Sequence, residues 1–264
     1  METLNRIHWY LSVIKRTLYQ WYYTIRYRGE LKKLAEYKNK YKGKRCFVIG
    51  TGPSLTAEDL TALSGEYTLA SNSIFRYFDK TDWRPDFYSV CDKTYYLANK
   101  ENIDAVMVKK QKFFPLDFAL NFGFKDKFRY YLRTPYSVRH PRFREDPMHA
   151  FQEGSTVTYH LLQLAVMMGF SEIYLLGIDF NYSLHRDNKG NIIRDDKVKD
   201  YAFNDKAANY TMPNLEASYY SYCSAEEYCK KHNYEVRIYN ATRGGKLEVF
   251  KRVDFDEIIL RKKA

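Results

Sequence analysis

The sequence predicts an α/β protein: a Rossmann-like, doubly wound, mainly parallel sheet with a lid insertion and an N-terminal helical arm. Three observations carry this. Short apolar runs alternate with helical stretches along most of the chain, the pattern of a parallel sheet. The first run, Arg45–Ile49, breaks into the small-residue loop Gly50-Thr51-Gly52-Pro53-Ser54. The last strong run, Ile173–Ile178, is the clearest buried strand and follows a long apolar helix.

The elements follow in order. Residues 4–28 interleave Trp9, Tyr10, Val13, Ile14, Leu18, Trp21, Tyr22 and Ile25 at helical spacing with Arg6, Lys15, Arg16, Arg26 and Arg28. No acid occurs from Leu4 to Gly29. An interfacial helix on an anionic membrane needs this mixture, and a helix packed on the body or on a partner subunit is the other reading. Residues 30–43 read as a polar helical connector. A basic, aromatic arm over 1–43 thus precedes a Rossmann-like domain over 44–264. Its strands are Arg45–Ile49, Tyr67–Ser71, Asp86–Cys91 and Ala105–Val108, with a helix near Ala57–Leu63. Residues 115–150, aromatic, basic and interrupted by proline, read as loop. Gly154-Ser155-Thr156 caps a helix over Val157–Met168, and Gly169 ends it. Residues 181–213 are polar and read as the lid. A helix over 216–232 and a strand over Glu235–Tyr239 complete the domain.

Composition narrows the function. The 264 residues carry a net charge of +11, but residues 1–45 hold 12 Lys/Arg against three acids. The basicity belongs to the arm, so a nucleic-acid groove across the body is not expected. The 26 Tyr and 17 Phe fit either ligand stacking or the bias of an AT-rich genome. Four cysteines without CxxC or zinc-finger spacing suggest reduced cytosolic thiols. No apolar run spans a bilayer and no secretory signal is legible, so the expected place is the bacterial cytoplasm, peripheral on the inner face of the membrane.

In a parallel sheet the ligand binds beyond the C-terminal ends of the strands. Those ends deliver Gly50, Thr51, Gly52, Pro53 and Ser54; Ser71 and Asn72; Asp92; Asp179, Phe180 and Tyr182; and Asn240, Ala241 and Thr242. Free N–H groups of the first turn, with Ser54 opening a helix, suit a nucleotide phosphate. The loop lacks both the Gly-Lys-Ser/Thr of a P-loop and the third glycine of a dinucleotide fingerprint. Asn72 stands 20 residues after Gly52, where a NAD site places a carboxylate. Asp92 and Asp179 could hold a metal, act as base, or cap helices. His185, in the lid, suits a general base on a hydroxyl, or is a solvated loop histidine. His140, His149, His160 and His232 show no spacing signal, and no Cys/His arrangement is legible.

Gly50–Leu55, then Gly169–Phe180, then Tyr201-Ala202-Phe203, resemble the bacterial sialyltransferases of glycosyltransferase family 42. The stretch Ile238–Leu247 resembles the related 6-hydroxymethylpterin diphosphokinase MptE-like domain, which also occurs in motility-associated factor glycosyltransferases. The resemblance covers roughly residues 44–256, with gaps. It implies a CMP-activated nonulosonic sugar as donor, with the Gly50–Ser54 loop on the nucleotide and Asn72 and Asp92 facing nucleotide or sugar. Ser155 and Thr156 would contact the sugar, and Tyr182 and Tyr201 the leaving phosphate. The family's catalytic histidine follows the Tyr-Ala-Phe segment. Here residues 204–222 contain no histidine, and His185 is the nearest substitute.

The leading expectation is a glycosyltransferase building a bacterial surface glycan on a glycan or lipid-linked acceptor, with no required cofactor and no metal site. The arm would dock it on an anionic membrane, and a homo-oligomer is compatible with the sequence. The alternatives are a diphosphokinase with Mg²⁺ on Asp92 or Asp179, and a non-catalytic nucleotide-binding module.

Overall fold

A computed structural model of the chain describes residues 2–137, 140–186, 192–195, 197–200, 202–203, 214–232 and 235–261. Its strands are β1 (Arg45–Ile49), β2 (Tyr67–Ser71), β3 (Phe87–Ser89), β4 (Gln111–Pro115), β5 (Phe128–Tyr131), β6 (Arg133–Ser137), β7 (Phe151–Glu153), β8 (Glu172–Leu176), β9 (Leu184–Arg186), β10 (Ile192–Arg194), β11 (Arg237–Asn240) and β12 (Lys251–Arg252). Its helices are α1 (Glu2–Arg26), α2 (Arg28–Ala35), α3 (Ala57–Ala62), α4 (Lys93–Ala98), α5 (Lys100–Ala105), α6 (Leu116–Phe122), α7 (Val157–Met167), α8 (Leu215–His232) and α9 (Phe255–Leu260), with a 3₁₀ turn over Asn72–Tyr77.

Eight strands form one sheet in the order β12-β11-β8-β1-β2-β3-β4-β5. Every pairing in it is parallel. A parallel sheet is covered on both faces, and side chains alternate between them along each strand. In β1, Phe47 and Ile49 enter one core while Cys46 and Val48 enter the other. Helix α7 lies wholly inside the second core. All eleven of its residues are buried, so it is apolar nearly all round rather than amphipathic.

The arm divides in its packing. Leu31 and Leu34 of α2 are fully buried, one in each core, and α2 covers the exposed edge strand β5. Covering that edge removes a template for stray strand pairing. Residues 39–43 then bond to the end of α7, with Asn39, Tyr41 and Gly43 N–H donating to Met167, Met168 and Gly169 carbonyls. Along α1, Tyr19 and Tyr23 pack against the body, as does Tyr27 just beyond it. Leu11, Ile14, Leu18, Trp21, Tyr22 and Ile25 stay 54–65% exposed on the other side.

Several sequence expectations are corrected. The fourth strand is not Ala105–Val108 but Gln111–Pro115, because Ala105 ends α5. Residues 115–137 are not loop, whereas 140–150 are, as expected. The former form α6, β5 and β6 and place Phe118, Phe128, Tyr130, Tyr131 and Leu132 in the core. The third strand is shorter than Asp86–Cys91, and the strand expected at Glu235–Tyr239 spans Arg237–Asn240. Strand β12 and helix α9 follow it, unforeseen. Within 181–213, β9 and β10 pair as an antiparallel hairpin.

Candidate active site

The first loop is built by its glycines. A Cβ on Gly50 would lie 2.5 Å from the Gly177 carbonyl oxygen, and one on Gly52 would lie 1.9 Å from Asp179 Oδ2. Only glycine lets the loops after β1 and β8 touch. Their amides are consumed by this contact: Gly50 N–H donates to Leu176 O and Gly52 N–H to Gly177 O, each at 2.9 Å. Ser54 does not open a helix. Its hydroxyl donates to Asp179 Oδ2 at 2.8 Å, and Thr56 caps α3 through a capping box with Asp59. The expected cradle of free N–H groups on Gly50 and Gly52 is therefore corrected: these glycines serve packing.

Asp179 ties a second loop to the first. It is 8% exposed, and burial pushes its carboxyl pKa up while the Ser54 hydroxyl pulls it down. Its carbonyl accepts from Lys246 N–H at 2.7 Å. Asn240 and Thr242 are buried beside it: Asn240 Nδ2 donates to Leu247 O, and Thr242 Oγ1 accepts from Ile178 N–H at 3.1 Å. Asp92 is exposed and caps α4, its Oδ1 accepting from Tyr95 N–H at 2.8 Å. This matches the helix-capping reading of that residue.

Three residues at this edge hold left-handed backbone without being glycine: Asn72 (φ +47°), Ser155 (φ +57°) and Phe180 (φ +51°). Such conformations cost on the order of 1–3 kcal/mol and cluster at binding sites. Asn72 directly follows β2, its carbonyl accepts from the Tyr88 hydroxyl at 2.7 Å, and its buried side-chain Oδ1 has no partner among the described residues. Ser155 precedes α7. The far end of α7 meets residues 39–43 just before β1, so its start lies at the edge where the strands end. There Thr156 caps α7, and the Gly154 carbonyl accepts from Ser221 of α8 at 2.8 Å. The Tyr222 hydroxyl bonds to Thr156 and Thr158, and its ring meets Phe180 edge-on at 5.8 Å. Phe180 in turn meets Tyr182 at 6.2 Å. The edge thus joins Asn72, Ser155, Thr156, Phe180 and Tyr182 to the loop contacts above.

The inserted segment reaches the same place. Ser183 is bonded to Asp200, Ala202 N–H donates to Thr51 O at 2.9 Å, and Phe203 packs edge-on against Tyr77 at 4.8 Å. His185 pairs through its backbone with Ile193 in the hairpin, and its side chain lies outside what the structure describes. Tyr201 lies outside the described residues.

A second polar cluster had no signal in the sequence. Cys91, Glu153 and His160 bring their ligand atoms within 4.8 Å of one another. Arg133 binds it together, with a bidentate pair to Asp117 at 2.9 Å and one nitrogen on both Glu153 Oε2 and the Cys91 carbonyl. This corrects the expectation that no Cys/His arrangement exists. Neither Asp92 nor Asp179 belongs to such a group among the described residues.

Comparison with known proteins places this architecture. The model of the 6-hydroxymethylpterin diphosphokinase MptE-like family matches residues 22–184, more than half of the chain. The chain belongs to that MptE-like family. Its match begins inside α1, takes in β1 through β8 and ends in β9. Among solved structures, a MAf glycosyltransferase from Magnetospirillum magneticum AMB-1 shares the fold, with TM-score 0.53 and 15% identity. The match covers 89% of this MptE-like chain but only 40% of that protein's. No curated protein matches it.

Proposed function

We propose that the protein is a glycosyltransferase taking its sugar from a CMP-linked donor, held along the C-terminal edge of β1 and β2 and at the start of α7. The observation that carries this reading is Asn72. A strained residue just after a central strand, with a buried amide oxygen lacking a partner among the described residues, is a group suited to a ligand donor such as a ribose hydroxyl or a base amine. The fold shared with the MAf glycosyltransferase supports the reaction class. The start of α7, beside Ser155 and Thr156, supplies a positive helix end for a charged phosphate or sugar carboxylate. Tyr182 and Tyr201 would donate to the leaving phosphate, and His185 or Asp92 would take the acceptor's proton. The acceptor is a surface glycan or its lipid-linked precursor. The exposed stripe of α1 would hold the enzyme on the anionic inner face of the cytoplasmic membrane. Among the described residues no helix is long and apolar enough to cross that membrane.

Calorimetry with CMP, UDP, GDP and ATP, in EDTA and in Mg²⁺, tests the reading. CMP should bind in EDTA. Asn72→Gly, which removes the amide and relaxes the backbone, should keep or raise the melting temperature while weakening CMP at least tenfold. Binding of ATP alone, and only with Mg²⁺, overturns it in favour of a diphosphokinase. Binding of CMP without sugar transfer to any acceptor favours a non-catalytic module.

A further inference from the structure

We propose that Cys91, Glu153 and His160 form a binding site for one zinc ion, joining the end of β3 to β7 and the first turns of α7. The three ligand atoms lie within 4.8 Å of one another, drawn from three separate elements. An ion at their centre would sit at most about 2.8 Å from each. A contraction of about 0.5 Å for sulfur and up to about 0.8 Å for nitrogen and oxygen gives ordinary Zn–S, Zn–N and Zn–O lengths.

The decisive observation is His160. It is fully buried, and among the described residues its Nε2 has no hydrogen-bond partner. The nearest carboxylate oxygen, Glu153 Oε2, is 3.7 Å away, beyond hydrogen-bond reach. Its other nitrogen, Nδ1, lies 3.3 Å from the Tyr131 hydroxyl. A ligating histidine shows this division: one nitrogen anchored by an outer partner, the other aimed at the metal.

The donor set selects the metal. One sulfur, one imidazole nitrogen and one carboxylate oxygen suit Zn²⁺, whereas Mg²⁺ and Ca²⁺ take oxygen alone. Charge balances as well. Without metal, Arg133 faces the carboxylates of Asp117 and Glu153, leaving one net negative charge beside a neutral thiol. Binding exchanges the thiol proton for the ion: Cys91–SH and Zn²⁺ give Cys91–S⁻–Zn²⁺, and H⁺ leaves to solvent. The cluster is then neutral. Arg133 occupies only part of the acceptor capacity of Glu153, because a carboxylate accepts at about four positions.

The site would fix the geometry of the neighbouring edge. Glu153 directly precedes Gly154, Ser155 and Thr156, so a metal on Glu153 and His160 clamps both flanks of that strained turn. Three protein ligands leave a fourth coordination position.

The test uses the full chain, stripped with chelator and re-equilibrated with ZnCl₂ or CoCl₂. Mass spectrometry of the metal should find one zinc per chain, and the melting temperature should rise on zinc addition. The cobalt form should show a thiolate-to-metal charge-transfer band, absent in Cys91→Ser. Glu153→Gln and His160→Asn should bind zinc at least tenfold more weakly. Zinc uptake should fall as pH falls, since a proton is displaced. Sub-stoichiometric zinc without a thermal shift, or cobalt bound without a thiolate band, overturns the proposal. Undiminished zinc in Cys91→Ser overturns it too, by placing the metal elsewhere.

Discussion

At the scale of single residues, the contact between Gly52 and Asp179 shows how a ligand-binding motif can be spent on packing. Two glycines after the first strand suggest a phosphate, yet here they admit a neighbouring loop. The consequence is measurable. Gly52→Ala drives a methyl into the Asp179 carboxylate, and the surrounding loops must shift. Overpacking of this kind costs about 1–3 kcal/mol. Denaturant unfolding should find that loss. Gly29→Ala is the contrast: nothing lies within 4 Å of its added methyl, and it sits in α2. That substitution should stabilise by about 0.5–1 kcal/mol, the helix-propensity gain. Equal effects at both positions would mean that the loop contact is slack. The residues of the edge were legible as polar groups at strand ends, since a parallel sheet puts function there. The sequence could not show which would be ligand-facing and which would be struts. Asn240 and Thr242 turn out to bond to backbone on both sides of Asp179, whereas Asn72 keeps a buried oxygen unspent. Cys91, Glu153 and His160 were invisible for another reason: the topology, not the spacing, brings them together.

At the scale of elements, legibility followed pattern purity. Strands β1 and β8 are apolar after their first residue, helix α7 is largely so, and all three were read almost to the residue. Strand β4 was missed because Lys112 sits in its middle. That lysine is buried, its ammonium donates to the Ile103 and Asp104 carbonyls, and burial pushes its pKa down to about 8. A charged residue inside a core strand breaks the pattern that sequence reasoning relies on. Strand β5 was missed because its apolar content is Phe and Tyr, which read equally well as loop aromatics. Helix α1 has the opposite property, a periodic face that stays exposed among the described residues. Leu11, Ile14, Leu18, Trp21 and Ile25 share one side, and Lys15, Arg26 and Arg28 flank it. A second copy would bring like charges together across such a face, so the anionic lipid proposed above is the occupant to test. The double variant Leu18→Glu/Trp21→Glu keeps Tyr19, Tyr23 and Tyr27 on the body. Wild type should sediment with phosphatidylserine vesicles and lose this in high salt, and the variant should stay in solution. Equal sedimentation of both, or concentration-dependent dimers abolished by the variant, would assign the face to another partner.

At the scale of the whole molecule, tyrosine dominates the response to alkali. Burial raises the phenol pKa of Tyr41, Tyr77 and Tyr174 to about 12, and it raises Tyr88, Tyr131 and Tyr222 as well. In the unfolded chain these groups ionise near pH 10. Above that value the unfolded state has shed protons that the folded state still holds, so stability falls as pH rises. The stability is fully present below about pH 10 and is lost as pH climbs through the folded values. Tyrosinate absorbance and circular dichroism should therefore change together in one steep transition between about pH 10 and 12. Gradual ionisation centred near 10, well before the loss of secondary structure, would contradict the burial of these rings.

The strand order carries a consequence for the newborn chain. Strand β1 is central, with β2 on one side and β8 on the other. Its β2 partner begins at Tyr67, one short helix later, but β8 begins only at Glu172. During translation at ~5–20 residues per second, the second edge of β1 waits on the order of ten seconds for its mate. For that interval Cys46–Ile49, among the most apolar segments of the protein, presents an open hydrogen-bonding edge to solvent. The ribosome-bound intermediate, rather than the finished molecule, is the state most in need of a chaperone.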